Sequence, residues 1–366
     1  MSARRVVWMV GTSPAGKGGI ASVLVQYRDA GVFEGGDVRF EASHEDGGAL
    51  GRVMPFARCA LRFSTALLLG RVSLLHAHAS HGGSFWRKFL LSLPAIAVRV
   101  PVLIHLHAGS YKEFYSRGSV WRRFCVRFLF RHAFKVVALS DEWRAWIISV
   151  EPLAAVEVLP NALSGATGHD AAGVFDPVPS VLFLGRIGKL KGTDDLLHAF
   201  VKVNAMFPQA LLIVAGDGEH EAFLDMARQL GIGNSVTYAG WIGTAEKRKL
   251  LLACRVFALP SYHEGLPMAV LEAMAFSRPV ISTPVGGIPQ AVTHGQTGFL
   301  VKPGAIDDLA HCLCTLFADP ALADRMGRAG RRSFEAGFSS EVILPRLFML
   351  YRAAGVTALP ILRNEG

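Results

Sequence analysis

Two glutamates eight positions apart, Glu264 and Glu272, are the side chains whose types and spacing point most directly to chemistry. They lie in the segment SYHEGLPMAVLEAMAFSRPVISTPVGGIPQAV, in which Pro267 stands where a helix can begin. Glu264 is therefore expected in the loop before the helix and Glu272 inside it. A carboxylate accepts hydrogen bonds from two hydroxyls, so Glu264 suits a hexose and Glu272 a ribose. A lone glutamate in an apolar helix is more often a structural ion-pair partner, but two at this spacing favour a site.

The backbone around this helix start is expected to take part as well. Gly265 and the amides of Leu266 and Met268 are predicted to face the end of the helix that favours anions. The first glycine loop of the chain follows the first apolar run, where Gly11-Thr-Ser-Pro-Ala-Gly-Lys-Gly18 resembles a phosphate-binding P-loop. It lacks the Ser or Thr that would hold Mg²⁺, because Gly18 occupies that position. Gly18 and Gly19 then indicate either a backbone cradle for a diphosphate or a tight turn.

Alternating elements must position these residues. Short runs of Val, Ile and Leu alternate with amphipathic stretches along the whole chain, which predicts repeated strand-helix units and an α/β class with parallel sheets. The chain of 366 residues is long enough for two domains. The expected division is a first domain over 1–163, a Gly-, Ala- and Pro-rich linker over 164–179, and a second domain over 180–339. A final helix near 340–354 is predicted to pack back on the first domain.

Composition excludes several classes of protein. Hydrophobic residues make up 51% and charged residues 18%, which is incompatible with a disordered or coiled-coil polymer. The five cysteines form no CxxC pair and no zinc spacing. The apolar stretch 89–98 is too short to span a bilayer, and the apolar run after Arg4 and Arg5 stops at Gly11 without the features of a secretion signal. A cytoplasmic protein is expected.

Positive charge is concentrated in the first half. Residues 1–175 contain 20 Lys and Arg against 12 Asp and Glu, and residues 176–366 contain 18 against 17. Within the first half, Arg123, Arg127 and Arg131 recur at helical spacing beside Trp121 and Phe124, as in a helix that lies on anionic lipid. An ordinary solvated helix face is the alternative interpretation. Nucleic acid is the rival polyanion, but no nucleic-acid-binding motif supports it.

These segments together resemble retaining glycosyltransferases of family 4, also called group 1. The quoted segment 261–292 is similar to the signature of that family, which is a glutamate, seven residues, a second glutamate, a proline-led strand and a Gly-Gly turn. Other matches occur in the expected order along nearly the whole chain: Gly18-Gly19-Ile20, HLH at 105–107, LPNA at 159–162, FLGRIGKLKG at 183–192, GDGE at 216–219 and Gly240-Trp241. The resemblance implies the GT-B fold, in which two Rossmann-like domains face each other across a cleft.

The resemblance also implies roles for individual residues in binding a nucleotide sugar. Arg186 and Lys191 would grip the two phosphates, with help from Gly18, Gly19 and the helix after Leu266, so neither a metal nor a cofactor is expected, and the sequence contains no DxD motif. The remaining donor-binding residues would be Gly240, Trp241, Glu264, Gly265 and Glu272. Two surface cations in a glycine-rich loop are the alternative interpretation of Arg186 and Lys191.

Histidines of the first domain complete the expected site. His107 follows the run PVLIHL and resembles the active-site histidine of the family, which contacts the sugar or orients the reacting phosphate; a buried structural histidine is the alternative. For His105, expected on the opposite face of the strand, the structural role is preferred. His76, His78 and His81 lack a carboxylate partner and are not expected to form a metal site.

The function implied by the resemblance is transfer of a hexose from a UDP- or GDP-sugar to a membrane-associated saccharide acceptor. The segment HAHASHGGSFWRK, 76–88, is similar to members that build bacterial exopolysaccharide, capsule or lipid-linked oligosaccharide. Arg87, Lys88 and the basic helix would then contact a polyprenyl diphosphate acceptor at the cytoplasmic face of the membrane. A soluble transferase resembling sucrose or glycogen synthase, an epimerase on the same fold and a non-enzymatic assembly scaffold are the alternatives.

Overall fold

A computed structural model describes residues 4–45, 47–107, 109–164 and 178–360, without the side chains of 49–52. The chain divides into two compact units. Unit 1 comprises Met1–Gly165 together with Phe338–Gly366, and unit 2 comprises Ala166–Gly337. Most of the segment expected to be a linker, 165–177, lies outside the described residues.

Unit 1 contains a parallel six-stranded sheet with the order β2-β1-β3-β4-β5-β6. Because a parallel sheet is covered by helices on both faces, its central strands are buried; all five residues of β4 are buried. The elements of this unit are β1 (Val6–Gly11), α1 (Gly19–Asp29), β2 (Val38–Ala42), α2 (Ala49–Leu68), β3 (Val72–Ala79), α3 (Gly83–Ala97), β4 (Val102–Leu106), α4 (Tyr111–Ser116), α5 (Val120–His132), β5 (Lys135–Ala138), α6 (Asp141–Val150) and β6 (Val156–Val158).

Unit 2 repeats this architecture with the strand order β12-β11-β10-β7-β8-β9, again all parallel. The elements are β7 (Ser180–Leu184), α7 (Thr193–Met206), β8 (Leu211–Ala215), α8 (His220–Gln229), β9 (Val236–Gly240), α9 (Thr244–Ala253), β10 (Val256–Leu259), α10 (Met268–Ala275), β11 (Val280–Ser282), α11 (Ile288–Ala291), β12 (Gly298–Leu300), α12 (Ile306–Ala318) and α13 (Pro320–Gly337). Short 3₁₀ turns lie at Lys189–Lys191 and Gly233–Ser235.

The last helix, α14 (Ser340–Ala353), belongs to unit 1 although it follows unit 2 in the chain. The fully buried Tyr351 places its hydroxyl 2.7 Å from Nδ1 of His76 in β3. A guanidinium nitrogen of Arg346 donates to the carbonyl oxygen of Val158 at 2.7 Å. Unit 1 is therefore assembled from two separate stretches of sequence.

The parallel sheets expected from the sequence are confirmed, and the two units together have the two Rossmann-like sheets expected of the GT-B fold. Among the helices of the described residues, none combines the length and the apolar character needed to cross a bilayer.

Candidate active site

The carboxyl ends of β7 and β10 form the point in unit 2 where the order of the strands reverses. β7 lies between β10 and β8, so the connections that leave β7 and β10 run in opposite directions along the sheet. Such a switch point opens a crevice at the carboxyl edge, where α/β proteins bind ligands. Arg186 and Lys191 follow β7, and Glu264 follows β10, so sequence and topology bring them to this edge.

Lys191 and Glu264 form an ion pair at this edge. The Nζ atom of Lys191 lies 2.6 Å from Oε1 of Glu264, and the hydroxyl of Ser261 donates to the same oxygen at 2.8 Å. The side chain of Glu264 is only 8% exposed, whereas that of Lys191 is 28% exposed. A charge-assisted contact of this length fixes both groups in the crevice. The pair presents a carboxylate for hydroxyl groups beside an ammonium group for an anion.

Glycines allow the backbone to close around this pair. Gly192 has a φ of 68°, and a Cβ atom there would lie 2.1 Å from the carbonyl oxygen of Pro260. Gly286 has a φ of 58°, and a Cβ atom there would lie 2.2 Å from the carbonyl oxygen of Glu264. Larger residues would push the loops after β7 and β11 away from the loop that carries Glu264. The Gly-Gly turn of the sequence pattern thus supports the glutamate sterically.

Glu272 lies inside α10, as expected, and is also buried. Its carboxylate forms an ion pair with Lys247 of α9. The sequence reasoning missed Lys247, because no motif surrounds it and the pairing depends on how α9 packs. Each of the two proposed sugar-binding carboxylates therefore carries its own lysine.

Arg186 is not part of the pair formed by Lys191 and Glu264. Its guanidinium group lies 3.7 Å from Oδ2 of Asp217, in the loop after β8, and its side chain is 74% exposed. A long, exposed ion pair of this kind contributes little stability, so Arg186 is available to bind a ligand. The GDGE segment of the sequence provides this acidic neighbour.

The other donor-binding residues expected in unit 2 lie around the same edge. Gly240 ends β9 with a φ of 72°, and Trp241 after it exposes about half of its surface. Gly265 and Leu266 are buried in the turn before α10, where Pro267 is the N-cap residue.

Four histidines form a compact stack in unit 1. His76 and His78 extend from β3, and His105 and His107 come from β4 and the residue after it. The Nδ1 atom of His78 lies 2.8 Å from Nε2 of His107, and the rings of His105 and His107 are 4.2 Å apart between centroids. The expectation that His105 lies on the opposite face from His107 is wrong, because residues two apart in a strand share a face.

Burial keeps these rings neutral. It lowers the pKa of His76 to about 3 and that of His107 to about 3, although a hydrogen bond to Asn161 acts in the opposite direction on the pKa of His107. The pKa values of His78 and His105 are also well below their ordinary value, mainly through burial. At neutral pH, His107 is therefore a hydrogen-bonding imidazole rather than an imidazolium, and its pKa is far from the range that suits a general acid or base.

Three histidines of the stack are close enough to one another to hold a metal ion. One ring nitrogen from each of His76, His78 and His105 lies within 4.8 Å of the others. The structure thus groups His105, rather than His81, with the first two histidines. Hydrogen bonds already connect the rings, since Nε2 of His76 lies 3.4 Å from Nδ1 of His105.

The first glycine loop has the open backbone expected of a ligand cradle. Gly18 is the N-cap residue of α1 with a φ of 117°, and a Cβ atom at Gly18 or at Gly19 would meet no atom within 4 Å. Glycine is required at Gly18 by its backbone conformation rather than by crowding. Both residues are exposed at the start of a helix, where amide groups can approach an anion.

Lys88 differs from the expectation of a surface cation. Its side chain is fully buried, with Nζ 2.9 Å from the hydroxyl oxygen of Ser43, and burial lowers its pKa to about 7. Arg87 is half-buried, and burial lowers its pKa as well. The prediction that Lys88 contacts a membrane or an acceptor at the surface is therefore wrong: it points into the core of unit 1, where its charge is desolvated.

The basic helix α5 presents the surface that the sequence predicts. Arg123, Arg127 and Arg131 line a groove of about 600 Å³. Trp121 is 66% exposed and Phe124 is 55% exposed, and their rings stack 5.5 Å apart. Arg127 also contacts Glu151 at 3.2 Å. Exposed aromatic rings thus stand beside the guanidinium groups.

The two Rossmann-like sheets, with the buried Glu264 at the switch point of unit 2, have the architecture of the GT-B class of glycosyltransferases. The chain belongs to the glycosyltransferase group 1 family: the pattern described as "Glycosyl transferases group 1" matches residues 169–333, and the pattern described as "Glycosyl transferase 4-like domain" matches residues 10–162. The matches follow the division into two units. They confirm the resemblance that the sequence motifs indicated.

Several characterised proteins are similar to this chain. A glycogen synthase of Mycobacterium tuberculosis is 27% identical over 297 residues, which is 78% of this chain and 69% of that protein. A D-inositol 3-phosphate glycosyltransferase of Kribbella flavida is 32% identical over 235 residues, 62% of this chain and 55% of that protein.

Solved structures share the fold at low sequence identity. Sucrose-phosphate synthase of Thermosynechococcus elongatus has a TM-score of 0.79 at 20% identity, covering 97% of this chain and all of that one. HepE of Anabaena in complex with UDP-glucose has a TM-score of 0.75 at 19% identity, covering 95% of this chain and 99% of that one.

Proposed function

We propose that this chain is a retaining glycosyltransferase that moves a hexose from a UDP- or GDP-sugar to a membrane-associated acceptor. The acceptor we infer is a polyprenyl diphosphate-linked saccharide, in the assembly of a bacterial polysaccharide. The observation that carries the proposal is the pair of buried carboxylates in unit 2: Glu264 is held by Lys191 at the switch point, and Glu272 is held by Lys247 of α9. HepE, which shares the fold, has been solved with UDP-glucose bound.

Groups of the donor would replace the lysines as partners of the two carboxylates, and the carboxylates as partners of the lysines. Hydroxyl groups of the hexose would bind Glu264 and those of the ribose Glu272, while Lys191 and the exposed Arg186 would bind the diphosphate. Positive side chains and amide dipoles would thereby stabilise the charge that develops on the leaving phosphate, without a metal or cofactor. Gly18, Gly19, Gly240, Trp241, Gly265 and Leu266 would complete the donor site.

The transfer we propose is a front-face displacement. The bond between the anomeric carbon and the phosphate oxygen breaks while a bond from that carbon to the acceptor oxygen forms on the same face. The acceptor proton passes to the departing phosphate oxygen, so no enzymic nucleophile is needed. His107 would contact the sugar as a neutral imidazole, because its pKa of about 3 leaves it uncharged at neutral pH.

The membrane-associated acceptor is supported by the surface of α5. Three arginines and two exposed aromatic residues face outward from this helix, which is the composition that binds an anionic lipid head beside an apolar tail. We infer that the protein works at the inner face of the cytoplasmic membrane. It is not expected to bind nucleic acid.

A soluble acceptor is the second candidate. The similarity to a glycogen synthase and the fold shared with sucrose-phosphate synthase favour it. Transfer assays with a lipid-linked acceptor and with a soluble glucan or sugar phosphate distinguish the two. Hydrolysis or transfer of the donor in either assay excludes a non-enzymatic scaffold.

The donor site is tested with Lys191 and its neighbour. A thermal-shift panel of UDP- and GDP-sugars first identifies the donor, since a ligand at 100 times its Kd stabilises by about 2.7 kcal/mol. With that donor, Lys191→Ala is expected to lower kcat by roughly 10² to 10³, as for loss of one charge-stabilising group. Lys189→Ala, in the same turn but exposed, is the matched control. A loss under tenfold for Lys191→Ala, or turnover that requires Mg²⁺, would contradict the proposal.

A further inference from the structure

Helix α2 exposes a row of apolar side chains that the proposed chemistry does not use. Met54, Leu61 and Leu68 are seven residues apart, which places them on one side of the helix. They are 67%, 70% and 87% exposed, and Val53 beside Met54 is exposed as well. We call these four residues the α2 stripe. Large apolar side chains that are exposed singly are ordinary, but a contiguous row marks an interaction surface.

The stripe continues onto neighbouring helices of unit 1. α2 contacts α3, and α3 contacts α5. Leu90 of α3 is exposed, and Val120, Trp121 and Phe124 of α5 are exposed. Among the described residues, helices α2, α3 and α5 together carry eight exposed large apolar side chains: Val53, Met54, Leu61, Leu68, Leu90, Val120, Trp121 and Phe124.

Positive charge surrounds this apolar surface. The sequence of α2 contains no acidic residue, and Arg58 and Arg62 of α2 are about half exposed. Their acidic partners, Glu45 and Glu41, lie outside the helix at 3.4 Å. The α5 helix adds the three arginines described above. An apolar row bordered by arginines complements a bilayer with anionic head groups.

A groove beside α2 has the same mixed character. It has a volume of about 850 Å³ and extends along α2 and the edge strand β2. Leu61, Leu69 and Phe40 contribute apolar walls, and Arg39 and Arg71 contribute positive charge. Leu61 therefore belongs both to the α2 stripe and to the rim of this groove.

We propose that the α2 stripe inserts into an anionic phospholipid bilayer and that, with α5, it docks unit 1 on the membrane by apolar burial as well as by charge. The docking deepens the proposed function, since it would hold the enzyme beside a lipid-linked acceptor. The inference itself uses only the exposed side chains and their charges. Docking by the α2 stripe differs from electrostatic attraction by α5 alone in one measurable way. Binding by inserted apolar side chains persists at high salt, because salt screens charge interactions but does not weaken apolar burial.

The test is co-sedimentation of the full chain with phosphatidylcholine vesicles, with and without phosphatidylglycerol, in the absence of any nucleotide sugar. The wild-type chain is expected to bind the anionic vesicles and to stay partly bound at about 1 M NaCl, where the Debye length is about 3 Å. Leu61→Ser/Leu68→Ser is expected to lower the partition coefficient at least tenfold and to remove the salt-resistant fraction, because each exposed leucine loses its apolar burial.

The controls separate insertion from other causes. Met206→Ser/Met349→Ser removes two apolar side chains of similar exposure from α7 and α14, and it should bind vesicles like the wild type. All four positions are exposed, and far-UV circular dichroism verifies that each variant is folded. Binding of the α2 variant equal to that of the control would overturn the proposal. The proposal would also be overturned if the wild type were a dimer, the α2 variant were a monomer, and both bound vesicles equally. The stripe would then be a contact between copies of this chain.

The outcome is independent of the proposed reaction. If the vesicle assay supports docking but no nucleotide sugar is turned over, the proposed function fails and the docking surface stands. If sugar is transferred to a detergent-solubilised acceptor while the α2 variant still sediments with vesicles, the docking proposal fails alone.

Discussion

Acid is expected to destabilise unit 1 through the buried histidine stack, and His76 provides the cleanest measure. Its folded pKa is about 3, lowered by burial, against an ordinary value of 6.5. Since the unfolded chain binds the proton first, stability is retained above about pH 6.5 and is lost as the pH falls toward 3. Between pH 6.5 and pH 5, His76 alone should cost about 1.6 kcal/mol of unfolding free energy.

Other groups act in the same direction, so a difference between variants is the quantity to measure. His78, His105 and His107 also have lowered pKa values. The pKa of Lys88 is lowered to about 7. At pH 6.5 this lysine is already mostly protonated in both the folded and the unfolded chain, so it contributes little to the change in stability below that pH.

The comparison is between the wild type and His76→Gln. The variant cannot titrate, so its unfolding free energy should fall by about 1.6 kcal/mol less than that of the wild type over the same pH range. Urea unfolding followed by tryptophan fluorescence reports on unit 1, because it contains five of the six tryptophans: Trp8, Trp86, Trp121, Trp143 and Trp146.

His132→Gln, at an exposed position of the same unit, is the control and should keep the wild-type pH dependence. Parallel pH curves for the wild type and His76→Gln would refute the assignment of a neutral, desolvated ring at this position. A change in stability at pH 8 alone would not, because the variant also alters the hydrogen bond to Tyr351.

Two further perturbations test the support of the site in unit 2. Lys247→Met leaves the buried carboxylate of Glu272 without its lysine and should lower the unfolding free energy by about 2 kcal/mol. Lys249→Met, at an exposed position of the same helix, should change the unfolding free energy by less than about 0.5 kcal/mol. Equal effects of the two variants in urea unfolding would show that the ion pair does not stabilise unit 2. Gly298→Ala places a Cβ atom 2.0 Å from the carbonyl oxygen of Val280 in the neighbouring strand, so it should cost at least about 2 kcal/mol. Gly243→Ala, which meets nothing within 4 Å, is the matched substitution, and a thermal melt in which both variants unfold at the same temperature would contradict this account of β12.

Motifs with local consequences were the most predictable parts of the molecule. The strand-helix alternation expected from the sequence is present in unit 2, whose strands are short apolar runs bounded by turn residues. The placement of Glu264 before α10 and of Glu272 inside it follows from Pro267, which fixes where the helix begins.

Features that depend on tertiary packing were not predictable in the same way. β2 has only two buried residues among five, so its sequence has no apolar run to signal an edge strand. α2 contains Pro55 within its span, so its sequence carries a signal against a helix. The ion pair of Lys247 and the burial of Lys88 arise when helices pack, and nothing next to either lysine in the sequence indicates a partner.

The return of α14 to unit 1 has a consequence for how the protein is made. The sheet of unit 1 is encoded first, yet the helix that provides Tyr351 and Arg346 leaves the ribosome only after all of unit 2 has been synthesised. Unit 2 is one continuous segment and can finish folding during translation. The sheet of unit 1 cannot be completed by α14 until that helix has been synthesised. Nascent chains therefore pass through a stage in which the later-encoded unit 2 is complete while the earlier-encoded sheet still lacks the helix that packs on it.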